Sequence, residues 1–188
     1  MKRNHFPLLM KSAAAGTSLL TLFFMLVYRY FPVNPLLVCA ISFGTTAYHF
    51  VMRLVVGFII PKLTNYNFDY RHRWFQPRKW EPAFYKKLNV RQWKGRIPTY
   101  APDQFSINNN SLYRIIQNMC GAEIVHETIM VLSFAPLLTV PQFGSFPVFL
   151  MTSVLSALYD SIFVMAQRYN RPRLVRLYEK QEAAKTHE

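Results

Sequence analysis

The chain has 188 residues, 52% hydrophobic and only 16% charged, and its 22 Lys+Arg against 9 Asp+Glu leave a formal net charge of +13. A water-soluble domain carries about a quarter charged residues, and nucleic-acid binders seldom need long uncharged apolar runs, so this composition points to a membrane protein with a basic face and no nucleic-acid partner. Cys39 and Cys120 are too few for a disulfide framework, and no CxxC, HExxH or paired Cys/His spacing supports a zinc site, so no metal or other cofactor is called for.

The opening MKRNHFPLLMK and the apolar stretch after it look like a signal peptide, but no small-residue cleavage site follows. The segment therefore reads as an uncleaved first helix. Residues 12–28 carry no charge, and a span over about 12–30 can cross ~30 Å of hydrocarbon at ~1.5 Å per residue. Pro32 and Pro35 mark a turn before a second span, 34–60, broken only by His49 and Arg53. Residues 62–118 change character: eleven basic and three acidic residues are interleaved with Trp74, Trp80 and Trp93. Such a connector is expected to form amphipathic helices on a membrane surface. Two more apolar segments follow, 119–140 and 145–167, separated by the uncharged turn VPQFG. Pro136 and Pro141 leave the third span either kinked or re-entrant. A basic tail, 168–188, closes the chain. The expectation is a single membrane domain over 1–188, an all-α integral membrane protein with about four transmembrane helices.

Outside the spans, three Lys/Arg precede the first, eleven lie in the connector and six follow residue 167, whereas the turns on the other side hold only Arg29. The positive-inside rule places both termini and the long basic connector in the cytoplasm, and anionic headgroups account for most of the basic excess.

This topology sets relative depths. Arg53 precedes the cytoplasmic end of the second span by seven residues, Asp160 stands seven before Gln167, and Glu123, His126 and Glu127 occupy the first turns of the third. All fall within roughly 5–12 Å of the inner interface at the helical rise. His49 shares a face with Arg53, and Glu123 with His126 and Glu127. Intramembrane ionisable groups face the bundle interior and mark function. Arg53 with Asp160 reads equally well as a bundle-locking pair or a binding pair. Glu123 one turn from His126 would orient the imidazole and raise its basicity, the arrangement of a general base. A single E-x-x-H is also half of a di-iron motif, but the second half is missing. Cys120 reads as a buried structural cysteine rather than an acyl-accepting thiol.

The fourth span leaves the membrane as AQRYNRPRLVRLYEK. Pro172 is expected to kink or end the helix there. Arg168, Arg171 and Arg173 suit bidentate phosphate binding, and Asn170 supplies a donor and an acceptor.

The runs AQRYNRPRL (166–174) and WEPAFYKKLNVRQWKGRIP (80–98), with the E-x-x-H of Glu123 and His126, resemble the small bacterial membrane acyltransferases typified by the glycosyl-4,4'-diaponeurosporenoate acyltransferase family of the staphyloxanthin pathway. The resemblance extends over about residues 55–178. It implies a bacterial cell-membrane enzyme that esterifies a sugar hydroxyl of a glycosylated carotenoid acid, or of another glycosylated lipid acceptor, with a fatty acyl group. Residue by residue it covers Glu123, His126, Arg91, Trp93, Lys94 and the run 167–173, and it leaves Glu127 unassigned. His126 would be the base and Glu123 its orienter. Arg53 or Asn170 would stabilise the oxyanion. Arg91, Lys94, Arg168, Arg171 and Arg173 would hold the phosphates of acyl-CoA or another acyl carrier, with His49, Trp93 and Asp160 completing the substrate-binding set. Two rival readings are a non-catalytic membrane subunit that binds anionic membrane lipids and an enzyme acting on a lipid or isoprenoid phosphate.

Overall fold

A computed structural model describes residues 4–186. The regular structure of the described residues is all helical, without strands, and four helices are long and apolar enough to cross a membrane. In chain order, α1 is Phe6–Tyr30, α2 Asn34–Thr64, α3 Glu81–Lys87, α4 Val90–Trp93, α5 Leu112–Leu132, α6 Val140–Phe143 and α7 Phe146–Thr186. Short 3-10 turns cover Lys94–Arg96, Pro102–Phe105 and Ala135–Thr139. The chain forms two compact units: Met1–Phe58 with Thr128–Asp160, and Ile59–Glu127 with Ser161–Glu188.

The first unit is packed as membrane helices are, through small residues that let backbones approach. Ala14, Ala40, Ala47, Ser153, Ser156 and Ala157 are buried, while Leu19, Leu22, Phe23, Val51, Val55, Leu155 and Leu158 face outward. Phe24 stacks on Phe43 at 5.5 Å between centroids, joining α1 to α2. The predicted third span breaks where its prolines stand. α5 stops at Leu132, and a 3-10 turn and α6 carry the apolar stretch on to Phe143. In a continuous helix the Leu132 carbonyl would accept from residue 136, which is a proline without an N–H. The Tyr48 hydroxyl donates to that carbonyl instead, at 2.8 Å.

The second unit holds the connector. Its helices are short: α3 has seven residues and α4 four. Pro77, Pro82, Pro98 and Pro102 punctuate the segment, each removing a backbone donor. The connector folds onto α5 and α7 around Phe75, Ile116 and Cys120, joined by Phe68, Tyr70, Ile124, Leu174, Val175 and Tyr178. Gln117 on α5 takes both backbone groups of Phe68, accepting from its N–H at 2.7 Å and donating to its carbonyl at 2.8 Å. Pro172 does not end the fourth helix, as α7 continues to Thr186. Its missing N–H deprives only the Arg168 carbonyl, and Leu174, Val175 and Tyr178 hold the following turns against the core.

One close approach in this unit requires glycine. A Cβ on Gly121 would lie 2.9 Å from Tyr66 Cδ1 and 3.2 Å from Phe68 Cε2. Gly121→Ala is therefore expected to destabilise the protein by about 1–3 kcal/mol through overpacking, read as a lowered melting temperature in detergent. An unchanged melt would contradict this packing.

Candidate functional site

The chemistry-bearing residues of the second unit converge on the last part of α7. Arg168 and Arg171 lie three residues apart on one helix face, aimed at α5 and the connector. Arg168 Nη1 donates to Glu123 Oε1 at 2.6 Å and to the Trp74 carbonyl at 2.9 Å. Its Nη2 donates to Glu81 Oε1 at 2.6 Å and to the Gln76 carbonyl at 3.1 Å, and its Nε donates to Glu81 Oε1 at 2.9 Å. Arg171 donates to Glu123 Oε2 and to the Phe75 carbonyl, with its guanidinium 4.9 Å from the Phe75 ring centroid. Glu123 is fully buried, and Glu81 and Arg171 nearly so. Two guanidinium groups thus meet two carboxylates and three connector carbonyls in a site closed to solvent. Such charges are stable away from water only when paired and hydrogen-bonded.

This arrangement bears on three predicted roles. The forks of Arg168 and Arg171, expected to grip phosphates, are directed at carboxylates and carbonyls within the protein. Glu123, expected to orient His126, accepts an arginine on each of its oxygens. The His126 ring lies against Phe163 of α7, with centroids 4.5 Å apart and planes within 9°. Glu127 is only half-buried, and its Oε2 accepts from the Trp74 indole N–H at 2.8 Å. Cys120 is fully buried beside Phe75 and Ile116, the environment of a structural cysteine.

A second group of predicted residues gathers around Tyr169. Lys94 Nζ donates to Asn170 Oδ1 and lies 4.8 Å from the Tyr169 ring centroid. Arg173 lies 4.5 Å from the same ring and donates from Nη2 to the Tyr169 hydroxyl at 2.9 Å. Asn170 presents its oxygen to Lys94, so the NH2 side of its amide is the donating side. Burial pushes the Lys94 ammonium below the ordinary lysine range; Tyr169 opposes this, while the positive charges of Arg173 and Arg91 add to it. Arg91 stands three residues before Lys94 and is exposed. The Trp93 indole N–H is committed to the Leu88 carbonyl at 2.9 Å, fixing the turn that carries Lys94. Among the described residues neither Lys94 nor Arg173 is hydrogen-bonded or ion-paired to a carboxylate, so this cluster, unlike the buried network, has no anionic partner within the described part of the unit.

Arg53, Asp160 and His49 belong to the first unit. Arg53 donates from Nη2 to Asp160 Oδ2 at 2.5 Å and to Ser156 Oγ at 2.8 Å, from Nε to Asp160 Oδ2 at 3.1 Å, and from Nη1 to the His49 carbonyl at 3.1 Å. Ser156 is linked in turn to Ser133 at 2.8 Å. This guanidinium ties α2 to α7 and has its donors engaged. Of the two readings open from sequence, the geometry is that of the bundle lock.

In the sequence Trp74 stood out only as one of the connector's aromatic residues and Tyr169 only within the run 167–173, while Glu81 and Phe163 were given no role. Glu81 did leave a signal there, as one of three acids among the eleven basic residues of the connector. An acid retained in so basic a segment marks a specific partner. At Tyr85, burial and then the charge of Glu81 push the phenol up to about 12.

Four helices long and apolar enough to cross a membrane, together with a buried charged network within the second unit, are the features of a membrane protein. The model of one family, glycosyl-4,4'-diaponeurosporenoate acyltransferase, matches residues 71–180, and the chain belongs to that family. It is an acyltransferase of a family named for a carotenoid-pathway substrate. No curated protein and no solved structure matches the chain. The matched segment contains the arginine–glutamate network, His126 and the Tyr169 cluster.

Proposed function

We propose that the protein esterifies a sugar hydroxyl of a glycosylated, lipid-soluble acceptor with a fatty acyl group delivered by a phosphate-bearing thioester carrier at the cytoplasmic face of the membrane. The observation that carries this reading is the cluster of Lys94 and Arg173 on Tyr169, a pair of cations without carboxylate partners inside an acyltransferase family match. Phosphates are the natural complement of such a cluster. The cytoplasmic placement rests on the Lys/Arg asymmetry of the chain.

In this reading Lys94, Arg173 and Arg91 hold the carrier phosphates, and His126, with its ring plane fixed against Phe163, accepts the proton of the attacking hydroxyl. The hydroxyl oxygen bonds to the thioester carbon, the C–S bond breaks, and the proton passes from His126 to the departing thiolate. The Asn170 amide, which accepts from Lys94, would donate to the carrier beside it. Arg168, Arg171, Glu81 and Glu123 hold the scaffold beneath.

The test is transfer by purified protein in lipid bilayers, with an acyl-CoA donor and a glycosylated carotenoid acid, the ester being detected by mass spectrometry. Lys94→Gln or Arg173→Gln is expected to raise KM for the acyl-CoA about tenfold, consistent with loss of a charge-assisted hydrogen bond. An acyl-pantetheine donor, which lacks the nucleotide phosphates, should be indifferent to both changes. Equal sensitivity of the two donors would sink the phosphate assignment, and absence of any ester would sink the reading itself.

A further inference from the structure

The first unit contains a cavity of about 330 Å³ that the ion-pair network does not use. It is lined by residues of α1, α2, α7 and the broken end of the third span, among them Thr21, Ala40, Gly44, Thr45, Tyr48 and Phe149. Its volume is at the lower end of small-molecule sites, ~300–1,000 Å³. Met25 and Phe143 line it while remaining 48% and 44% exposed, so it opens on the apolar surface.

The lining excludes polar ligands. Each hydroxyl proton in it is already bound to a carbonyl: Thr21 to Thr17 at 2.8 Å, Thr45 to Ile41 at 3.0 Å, Thr139 to Pro136 at 2.7 Å and Tyr48 to Leu132 at 2.8 Å. A sugar or phosphate would find no donor there, whereas a hydrocarbon chain loses nothing by entering.

One helical turn further along, the chemistry changes. His49 follows Thr45 on α2, and Ser153 follows Phe149 on α7, each by four residues and so on the same helix face as the cavity wall. His49 is 6% exposed and Ser153 0%. Both ring nitrogens of His49 and the Ser153 hydroxyl have no hydrogen-bond partner among the described residues. Buried polar groups are nearly always paired, and orphans of this kind call for an absent partner. Arg53, one turn further along α2, and Asp160, two turns further along α7, close the stripe as an ion pair.

We infer that this cavity seats the fatty acyl chain of the donor, with its hydrocarbon against the hydroxyl-satisfied wall and its head-end carbonyl oxygen accepting from His49 and Ser153. An acyl chain matches both halves, being apolar along its length and carrying one acceptor at the end. The inference rests on the acyltransferase reading for the identity of the chain; the cavity and its two orphans stand without it.

The test uses the full-length protein in bilayers with a diazirine-bearing fatty acyl-CoA, followed by peptide mapping. Labelling is expected on α2 and α7 peptides that include Leu37–Tyr48 and Phe149, and excess unlabelled acyl-CoA should remove it. Gly44→Leu, which fills the cavity, should weaken labelling about tenfold and shift the transferred chains to shorter lengths. Thr139→Phe fills it from the opposite wall, should Gly44→Leu disturb the packing on Thr21. His49→Phe keeps the ring volume and removes the donor, and should weaken labelling about threefold to tenfold. Labelling competed by phospholipid alone would overturn the inference, as would unchanged labelling and chain length in both filled variants. Labelling as expected without any ester formation by the unaltered protein would sink the acyltransferase reading and leave the cavity's acyl-chain assignment standing.

Discussion

Arg171→Ala is expected to destabilise the connector half of the protein by about 3–5 kcal/mol, the cost of leaving a buried carboxylate without its partner. Arg171 is nearly inaccessible and holds both Glu123 and the Phe75 carbonyl. Its loss leaves one oxygen of a fully buried carboxylate without that guanidinium, and frees the loop that carries Trp74, Phe75 and Gln76. The effect should appear as a large drop in melting temperature in detergent and as rapid proteolysis within residues 65–111. Glu123→Gln should be nearly as severe, because two arginines would then share one remaining buried carboxylate, Glu81. The pair Arg71 and Glu179 provides the contrast. It is exposed, its separation is 3.5 Å, and Arg71→Ala should change the melt little. If Arg171→Ala folded normally and lost only affinity for the acyl carrier, the phosphate role first expected for Arg171 would stand.

This network shows what the sequence could and could not convey. The four spans were legible because hydrocarbon imposes long uncharged runs. The prolines announced the break in the third span, where the missing N–H at residue 136 leaves the Leu132 carbonyl without a helical donor and Tyr48 takes it instead. Of the two effects expected at Pro172, a kink or an end, the helix does not end there, because one lost hydrogen bond is tolerated where the following turns are packed, as Leu174, Val175 and Tyr178 are. One pairing of polar residues, Arg53 with Asp160, was legible in the sequence, but those of Arg168, Arg171 and Glu123 were not. Arg168, Arg171 and Arg173 look alike in the run QRYNRPR, yet helix periodicity turns the first two toward α5 and leaves the third beside Tyr169. Which arginine is structural depends on Glu81, 87 positions away in sequence from Arg168. No local pattern encodes that contact. Likewise, Glu123 and His126 share a helix face, but the partners of Glu123 come from α7.

The same distinction sets the second large effect. His126→Phe is expected to lower kcat for acyl transfer about 10²–10⁴-fold, the range of a lost general base, while leaving the melting temperature and KM for the acyl carrier nearly unchanged. Phenylalanine preserves a flat ring against Phe163 at the position where the imidazole now lies at 4.5 Å, so packing is retained and only the nitrogens disappear. His126→Ala removes both and cannot separate them. Phe163→Leu completes the comparison, because loss of a ring-positioning contact should lower kcat only moderately, well short of the loss in His126→Phe. Glu127→Gln then addresses the remaining carboxylate on α5, which holds Trp74 by one oxygen and is half-buried. A fall in kcat with an altered pH profile in this variant, together with full activity of His126→Phe, would move the base from His126 to Glu127. Because Glu123 is bound to two arginines, it is the least available proton acceptor of the three, and the E-x-x-H spacing then supports the scaffold on one residue and the chemistry on the other.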